Sequence, residues 1–286
     1  MVYRTVGQMI ELEAAMLLIP MLVALIYGEM NIVPSFLIPA VCAGVLGFIF
    51  AHTFPPRDRI LYARDGFMIV ALAWLVLSGI GALPFVISRE IPSYIDAFFE
   101  TASGFTTTGA TIIRDVEALS HGTLFWRSFT HWVGGMGVIV LMMAIIPQES
   151  GTSMYIMKAE MPGPIVGKLV PRIRQTAKVL YLIYLGLTAL QVFLLCAGGM
   201  PIFDSLVHTF GTAGTGGFGI KADCLASYTP YQQWITAIFM LIFGVNFNLY
   251  YLILIRRARS AFKSEELWAY IGIVLVASGI ICYNIR

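Results

Sequence analysis

The sequence is poor in charge. Only 12% of its 286 residues are Asp, Glu, Lys or Arg, whereas soluble domains carry about a quarter. Hydrophobic residues make up 58% of the chain, and the mean hydropathy is +0.82. These values exclude a water-soluble globular chain and predict an all-α polytopic membrane protein.

Residues with reactive or metal-binding side chains are also scarce. Four cysteines have neither a paired nor a metal-like spacing: Cys42, Cys196, Cys224 and Cys282. No nucleophile-elbow, zinc-protease, phosphate-loop or dinucleotide-binding motif occurs, which disfavours a membrane-embedded hydrolase. The sequence therefore predicts no enzyme and no covalent cofactor. Because the start of the chain lacks a basic segment followed by a cleavage site, we also expect no removable signal peptide.

Long apolar runs are what the chain does contain. They predict about seven transmembrane helices of roughly 20 residues, the length that a bilayer core requires. The predicted spans are Glu11–Tyr27, Ile32–His52, Gly66–Ile87, Phe125–Pro147, Ala177–Gly198, Gln232–Ile255 and Glu266–Asn284.

The basic residues are unevenly distributed between these spans. Thirteen of the 18 would lie on one side of the membrane if the spans alternate: Arg4, Arg57, Arg59, Arg64, Lys158, Lys168, Arg172, Arg174, Lys178, Arg256, Arg257, Arg259 and Lys263. Cytoplasmic loops are enriched in Lys and Arg. The pattern therefore predicts a cytoplasmic N-terminus.

Two polar stretches, Phe105–Thr111 and Ala213–Gly219, align with each other without a gap. This repeat alignment also pairs Asp96 with Asp204 and Trp126 with Trp234. Each stretch is too rich in Thr and Gly to span a membrane, yet spans flank it on both sides. Non-helical backbone at membrane depth survives only when it is buried in protein or lines a water-filled path. We interpret the two stretches as filter loops that enter from outside and offer backbone carbonyls to an ion.

Short helices are predicted directly before the filter loops, over Ser93–Ser103 and Phe203–Gly211. Their C-terminal ends would point a negative dipole end towards a cation. An ordinary extracellular loop is the alternative, but it would expose several apolar side chains to water. The residues predicted to offer backbone carbonyl oxygens to the ion are Thr106, Thr107, Thr108, Thr215 and Gly216. Gly109 and Gly217 would allow backbone torsions that other residues resist.

The spans and loops predict a parallel repeat. Residues 1–64 form an N-terminal two-helix hairpin, 65–147 a first span–pore helix–filter–span unit, 148–175 a cytoplasmic basic loop, 176–257 a second unit, and 258–286 the first helix of an incomplete third unit. Units of the same orientation favour a channel-like arrangement over the rocking of inverted repeats.

Several polar or small residues in the predicted spans have two interpretations. Asp96, Asp204 and Glu100 on the short helices are functional candidates, because ionisable residues are costly at membrane depth. Helix capping or packing is the alternative. Likewise, the run Gly134–Gly137 provides either close helix packing or a hinge.

Several sequence words resemble those of a known family, the Trk/Ktr/HKT potassium uptake superfamily, and within it the bacterial TrkH/TrkG-type membrane subunits. They are Asp96–Glu100, Thr106–Thr111, Trp132–Gly137, Ala159–Pro164 with Pro171–Ile173, and Gly216–Phe218. The similarity extends over nearly the whole chain, including the N-terminal hairpin.

The resemblance implies a fold of four span–pore–span units around one pore, usually in a homodimer. It assigns potassium-binding filter positions to Thr107, Thr108, Thr215 and Gly216, with Thr106, Gly109, Gly217 and Phe218 as their support. It also implies a cytosolic, nucleotide-binding regulatory ring of the TrkA type, for which the basic loop is a candidate docking surface.

The predicted function is therefore potassium uptake across the bacterial cytoplasmic (inner) membrane, with potassium as the transported ligand and no nucleic acid as partner. Two filter loops are half of the number that the family pore needs, so we expect this sequence to be part of a longer reading frame. A non-conducting membrane scaffold that binds such a system is the alternative. Coupling to protons or sodium stays open.

Overall fold

The computed structural model describes residues 2–53, 63–137 and 173–285. Within these ranges the regular structure is entirely helical, which confirms the predicted all-α class. The helices are α1 (Val2–Ile26), α2 (Val33–Thr53), α3 (Ala63–Gly81), α4 (Leu83–Ile87), α5 (Tyr94–Phe105), α6 (His121–Gly135), α7 (Ile173–Ala197), α8 (Ile202–Ala213), α9 (Pro230–Phe243), α10 (Phe247–Leu254), α11 (Ala258–Phe262) and α12 (Glu265–Ile285).

Five segments of the described chain are long and apolar enough to cross a bilayer: Val2–Ile26, Val33–Thr53, Asp65–Ile87, Ala177–Ala197 and Glu265–Ile285. They coincide with five of the predicted spans and make the chain a multi-pass membrane protein. Helix α6 begins the predicted span Phe125–Pro147, whose residues 138–147 lie outside the described residues. So do the predicted cytoplasmic loop up to residue 172 and its counterpart at 54–62.

The predicted span Gln232–Ile255 is not one continuous helix, and its continuity was predicted wrongly. Helices α9 and α10 are bent by 85° relative to each other. Gly244 ends α9, and the side chain of Asn246 accepts a hydrogen bond from the backbone N–H of Asn248 at 3.0 Å to begin α10. A capping side chain of this kind satisfies a backbone donor that a continuous helix would pair internally.

Helix α6 lies at the centre of the described bundle, where it contacts α1, α5 and α8. Its aromatic side chains Phe125, Phe129 and Trp132 pack around Phe210 of α8, with ring centroids 5.5–5.7 Å from that ring. Aromatic pairs at these separations contribute beyond their buried area. This packing fixes α8 of the second predicted unit against α6 of the first.

The N-terminal hairpin of α1 and α2 holds the start of α6. The carboxylate of Glu29, just after α1, accepts hydrogen bonds from the backbone N–H groups of His121 at 2.8 Å and Gly122 at 3.1 Å. Tyr27 stacks on the His121 ring, with 4.0 Å between centroids. An acidic group at a helix N-terminus is stabilised by the exposed N–H donors and the helix dipole.

Candidate functional site

The two predicted short helices are confirmed as α5 and α8, each 12 residues long. At about 1.5 Å per residue, a helix of this length crosses little more than half of a bilayer core. Their bounds, Tyr94–Phe105 and Ile202–Ala213, coincide in the repeat alignment. Each helix ends where a predicted filter loop begins, so the repeat seen in sequence is also a repeat of structure.

Two of the candidate acidic residues, Asp96 and Asp204, lie in the first turns of these helices. The side chain of Ser93 accepts a hydrogen bond from the backbone N–H of Asp96, which caps α5. In α8 the carboxylate of Asp204 accepts a hydrogen bond from the Tyr228 hydroxyl at 2.9 Å. Burial and the Asp204 carboxylate raise the pKa of Tyr228, which stays a donor. Asp204 therefore fits the packing interpretation, whereas Asp96 takes part in the cap of α5 through its backbone N–H.

The loops after α5 and α8 share left-handed backbone torsions at equivalent positions. Thr107 and Thr215 have φ of 55° and 56°, and Gly109 and Gly217 have φ of 75° and 73°. Left-handed torsions are uncommon for residues other than glycine and are unfavourable for a β-branched one. Their occurrence at both equivalent threonines indicates a conformation that the surroundings impose, as is common at functional sites.

The remaining predicted filter residues cluster around these four. Thr106 caps α5, and its hydroxyl bonds the Ala102 carbonyl at 2.7 Å and the Thr108 hydroxyl at 2.8 Å. Phe218 is only 3% exposed and packs against the ring of His131, 3.9 Å away between centroids.

The two loops contact each other directly. A Cβ added to Gly109 would collide with the backbone carbonyl of Gly216. Gly216 in turn lies against the His131 ring of α6, whose two nitrogens are buried and have no hydrogen-bond partner within the described ranges. The structure thus brings the predicted ion-binding residues of both units into one contiguous group.

The glycine run at the end of α6 provides close packing. A Cβ on Gly134 would collide with the carbonyl of Phe105, the last residue of α5. A Cβ on Gly135 would lie 2.9 Å from the carbonyl of Ala213, the last residue of α8. Small residues allow this approach of backbones, and α6 thereby contacts the C-terminal ends of both short helices.

A buried ion pair lies behind the loops. Arg127 Nε of α6 and Glu100 Oε1 of α5 are 2.6 Å apart, and their side chains are 3% and 0% exposed. Glu100 was among the sequence candidates, whereas Arg127 was missed. The signal that would have found it is its charge, because Arg127 stands inside a predicted apolar span.

Four charged residues that follow the two filter loops, here called the outer rim, are exposed: Arg114, Asp115, Glu117 and Asp223. Glu117 also accepts a hydrogen bond from the backbone N–H of Ala222 at 3.1 Å, which joins the segments that follow the two loops.

Comparisons with known proteins agree with this arrangement. A protein-family model named TrkH and described as a cation transport protein matches residues 28–270. The Trk system potassium uptake protein TrkH of Salmonella typhimurium is 40% identical over 277 residues, which are 95% of this chain and 57% of that protein. TrkG of Escherichia coli is 34% identical over 282 residues, or 95% of this chain and 58% of that protein.

A solved structure, that of the potassium transporter TrkH from Vibrio parahaemolyticus, superposes with a TM-score of 0.81 at 35% identity. The match covers 96% of this chain and 56% of that one. The chain thus spans about half the length of the relatives it matches.

Proposed function

The chain belongs to the TrkH family of cation transport proteins, and from this premise we propose that its two filter loops line a path for potassium ions across the bacterial cytoplasmic membrane. The observation that carries the proposal is the shared left-handed conformation of the two loops together with their contact at Gly109 and Gly216. Two loops that share these torsions and contact each other between membrane-spanning helices are suited to surround one ion path.

The backbone carbonyls of Thr107, Thr108, Thr215 and Gly216 replace part of the hydration shell of the ion. Thr106, Gly109, Gly217 and Phe218 hold these carbonyls in position. The C-terminal ends of α5 and α8 add a favourable potential for a cation, equivalent to about half an elementary charge each. No covalent step is needed, and an inside-negative membrane potential drives entry by about 2.3 kcal/mol per charge per 100 mV.

The chain provides two of the units that surround the pore, 65–147 and 176–257, preceded by the hairpin 1–64 and followed by the first helix of a further unit at 258–286. From the distribution of basic residues we infer that the N-terminus and the loop 148–175 lie in the cytoplasm. That loop docks a cytosolic, nucleotide-binding regulatory ring of the TrkA type, and the membrane subunit works as a homodimer. The names of its relatives, Trk system potassium uptake proteins, support a partnership within such a system.

The test is rubidium uptake by a bacterium that lacks its own potassium importers. The chain is expressed alone and within its complete reading frame, in each case with a TrkA-type subunit supplied. We expect uptake from the complete reading frame, suppressed by added potassium. No uptake by either form, despite insertion into the membrane, would contradict the proposal and favour the non-conducting scaffold.

A further inference from the structure

The buried pair of Arg127 and Glu100 reaches both filter loops. Removing two charges from water costs more than their mutual attraction returns unless further hydrogen bonds satisfy the remaining donors and acceptors. The partners of this pair are therefore informative, because they are the groups that make its burial tolerable.

The Glu100 side of the pair holds the end of the first loop. The Thr111 hydroxyl lies 2.9 Å and 3.0 Å from the two carboxylate oxygens and donates to them. The backbone N–H of Ile112 donates to the same carboxylate at 3.0 Å. Glu100 thus ties the residues that follow the first filter to the middle of α5.

The Arg127 side holds the end of the second loop. Its terminal nitrogen donates a hydrogen bond to the Gly219 carbonyl at 3.0 Å. The guanidinium carbon lies 3.7 Å from the centre of the Phe218 ring, within the range of a cation–π contact. Gly219 is the equivalent of Thr111 in the repeat alignment. One ion pair therefore fastens the same position of both loops.

The second unit has no such pair of its own. The repeat alignment places His208 at the position of Glu100 and Ile235 at the position of Arg127. Within the described parts of the chain, Nε2 of His208 has no hydrogen-bond partner. The charged tether on the second loop therefore comes from the first unit, through Arg127.

We propose that Arg127 is a positioning residue that sets the ion selectivity of the second filter loop, with Glu100 holding its guanidinium in place. This role rests on the proposed function. The planar fork of an arginine serves Glu100 with one nitrogen and Gly219 with another, which the single ammonium of a lysine cannot reproduce. The role is exerted through the Gly219 carbonyl and the Phe218 ring, since Arg127 lies behind the loop.

The experiment measures initial rates of rubidium and sodium uptake by the complete reading frame in cells that lack other potassium importers. In Arg127→Lys we expect the rubidium-to-sodium ratio to fall about tenfold, the effect of losing one well-aligned charged hydrogen bond. The matched control is Arg114→Lys, an equal change at an exposed residue of the outer rim, which leaves the ratio unchanged.

Three further variants separate positioning from folding. Thr111→Val is nearly isosteric at an exposed residue, so it folds even if Arg127→Lys does not, and its ratio falls about threefold because Glu100 keeps its other partners. The double variant Glu100→Gln with Arg127→Gln removes both buried charges together. We expect it to regain membrane abundance relative to Arg127→Gln while its selectivity stays lost.

The outcomes distinguish the role of Arg127 from the proposed function. An unchanged rubidium-to-sodium ratio in the inserted variants, with the unaltered protein transporting rubidium, would overturn the role of Arg127 alone. A double variant with both abundance and selectivity restored would also overturn it, because the pair would then only balance charge. Absence of rubidium uptake by the unaltered protein would overturn the proposed function and this role with it.

Discussion

At the scale of single residues, the loops contain two left-handed glycines with different surroundings. Gly109 has φ of 75° and lies against the Gly216 carbonyl. Gly217 has φ of 73°, and among the described residues only the Met240 methyl lies near its missing Cβ, at 3.7 Å. A left-handed torsion costs a residue with a Cβ about 1–2 kcal/mol. Both positions therefore disfavour alanine, but only Gly109 adds a collision with backbone.

We expect Gly109→Ala to abolish rubidium uptake and Gly217→Ala to retain at least about a tenth of it, because the latter has only the torsional cost of about 1–2 kcal/mol. Initial uptake rates at equal membrane abundance provide the comparison, and the unaltered chain is the reference. Equal losses in the two variants would show that the contact between the loops does not matter.

The sequence predicts some of these residues and misses others, for physical reasons. Gly109 and Gly217 were predicted because only glycine adopts their torsions freely. The left-handed torsions of Thr107 and Thr215 were not, since a β-branched residue gives no local signal for them. The partners of Arg127 are distant in sequence: Glu100 is 27 residues away and Gly219 is 92. Pairing over such separations depends on packing that no local pattern contains.

At the scale of helices, α6 packs against the C-terminal ends of both short helices through its own glycines, Gly134 and Gly135. Gly134→Ala places a methyl group against the Phe105 carbonyl and should lower thermal stability in detergent, since overpacking costs about 1–3 kcal/mol. Gly186→Ala in α7 is the matched control. Its added Cβ meets no atom of the described residues within 4 Å, and alanine gains up to about 1 kcal/mol over glycine in a helix. A stable Gly134→Ala protein would contradict the packing role of the run.

The docking of the N-terminal hairpin on α6 gives a second prediction at this scale. Glu29→Ala removes the acceptor for two backbone donors at the start of α6 and should cost about 1–2 kcal/mol of stability. Glu29→Gln retains one neutral acceptor and should cost less. Melting of the purified protein, followed by size-exclusion fluorescence, measures both. Glu11→Gln in the N-terminal half of α1 serves as control, since Glu11 Oε1 has a longer contact, 3.7 Å to Nδ1 of the exposed His52. Equal melting temperatures for all three variants would contradict the capping role.

Some helix boundaries can be predicted from local sequence patterns, and others cannot. Helices α5 and α8 were predicted to within two residues at each end, because the Thr/Gly loops that follow them and the Ser93 cap of α5 are local signals. The break between α9 and α10 was missed, although Gly244 and Asn246 are typical stop and start residues. The two helices together are still long and apolar enough to cross a bilayer, so a prediction from apolar length joins them.

At the scale of the whole molecule, the basic residues predict which ends of the spans face the cytoplasm. Cys224 is exposed in the segment after the second loop, and Ser260 is exposed in α11 beyond the bent pair. In a background where the other cysteines are replaced by serine, a membrane-impermeant maleimide should label Cys224 in intact cells. A cysteine introduced by Ser260→Cys, with Cys224→Ser, should react only after permeabilisation. The reverse pattern would contradict the proposed orientation.

The repeat is the whole-molecule feature that the sequence predicts best. The repeat alignment pairs the bounds of α5 with those of α8, and the end of α6 at Gly135 with the end of α9 at Phe243. Apolar length and internal similarity suffice for this, because each unit must satisfy its backbone within the membrane in the same way. The contact between the two loops could not be predicted, since it depends on how the units are arranged around α6.

The most direct test of a potassium path lined by the two filter loops is ion flux into vesicles that contain the purified protein of the complete reading frame. An inside-negative diffusion potential drives the uptake, and rubidium is the tracer. We expect accumulation well above that of protein-free vesicles, suppressed more strongly by external potassium than by sodium, and lost in Gly109→Ala. Accumulation no greater than in protein-free vesicles, with the protein folded and inserted, or undiminished flux in Gly109→Ala, would contradict it.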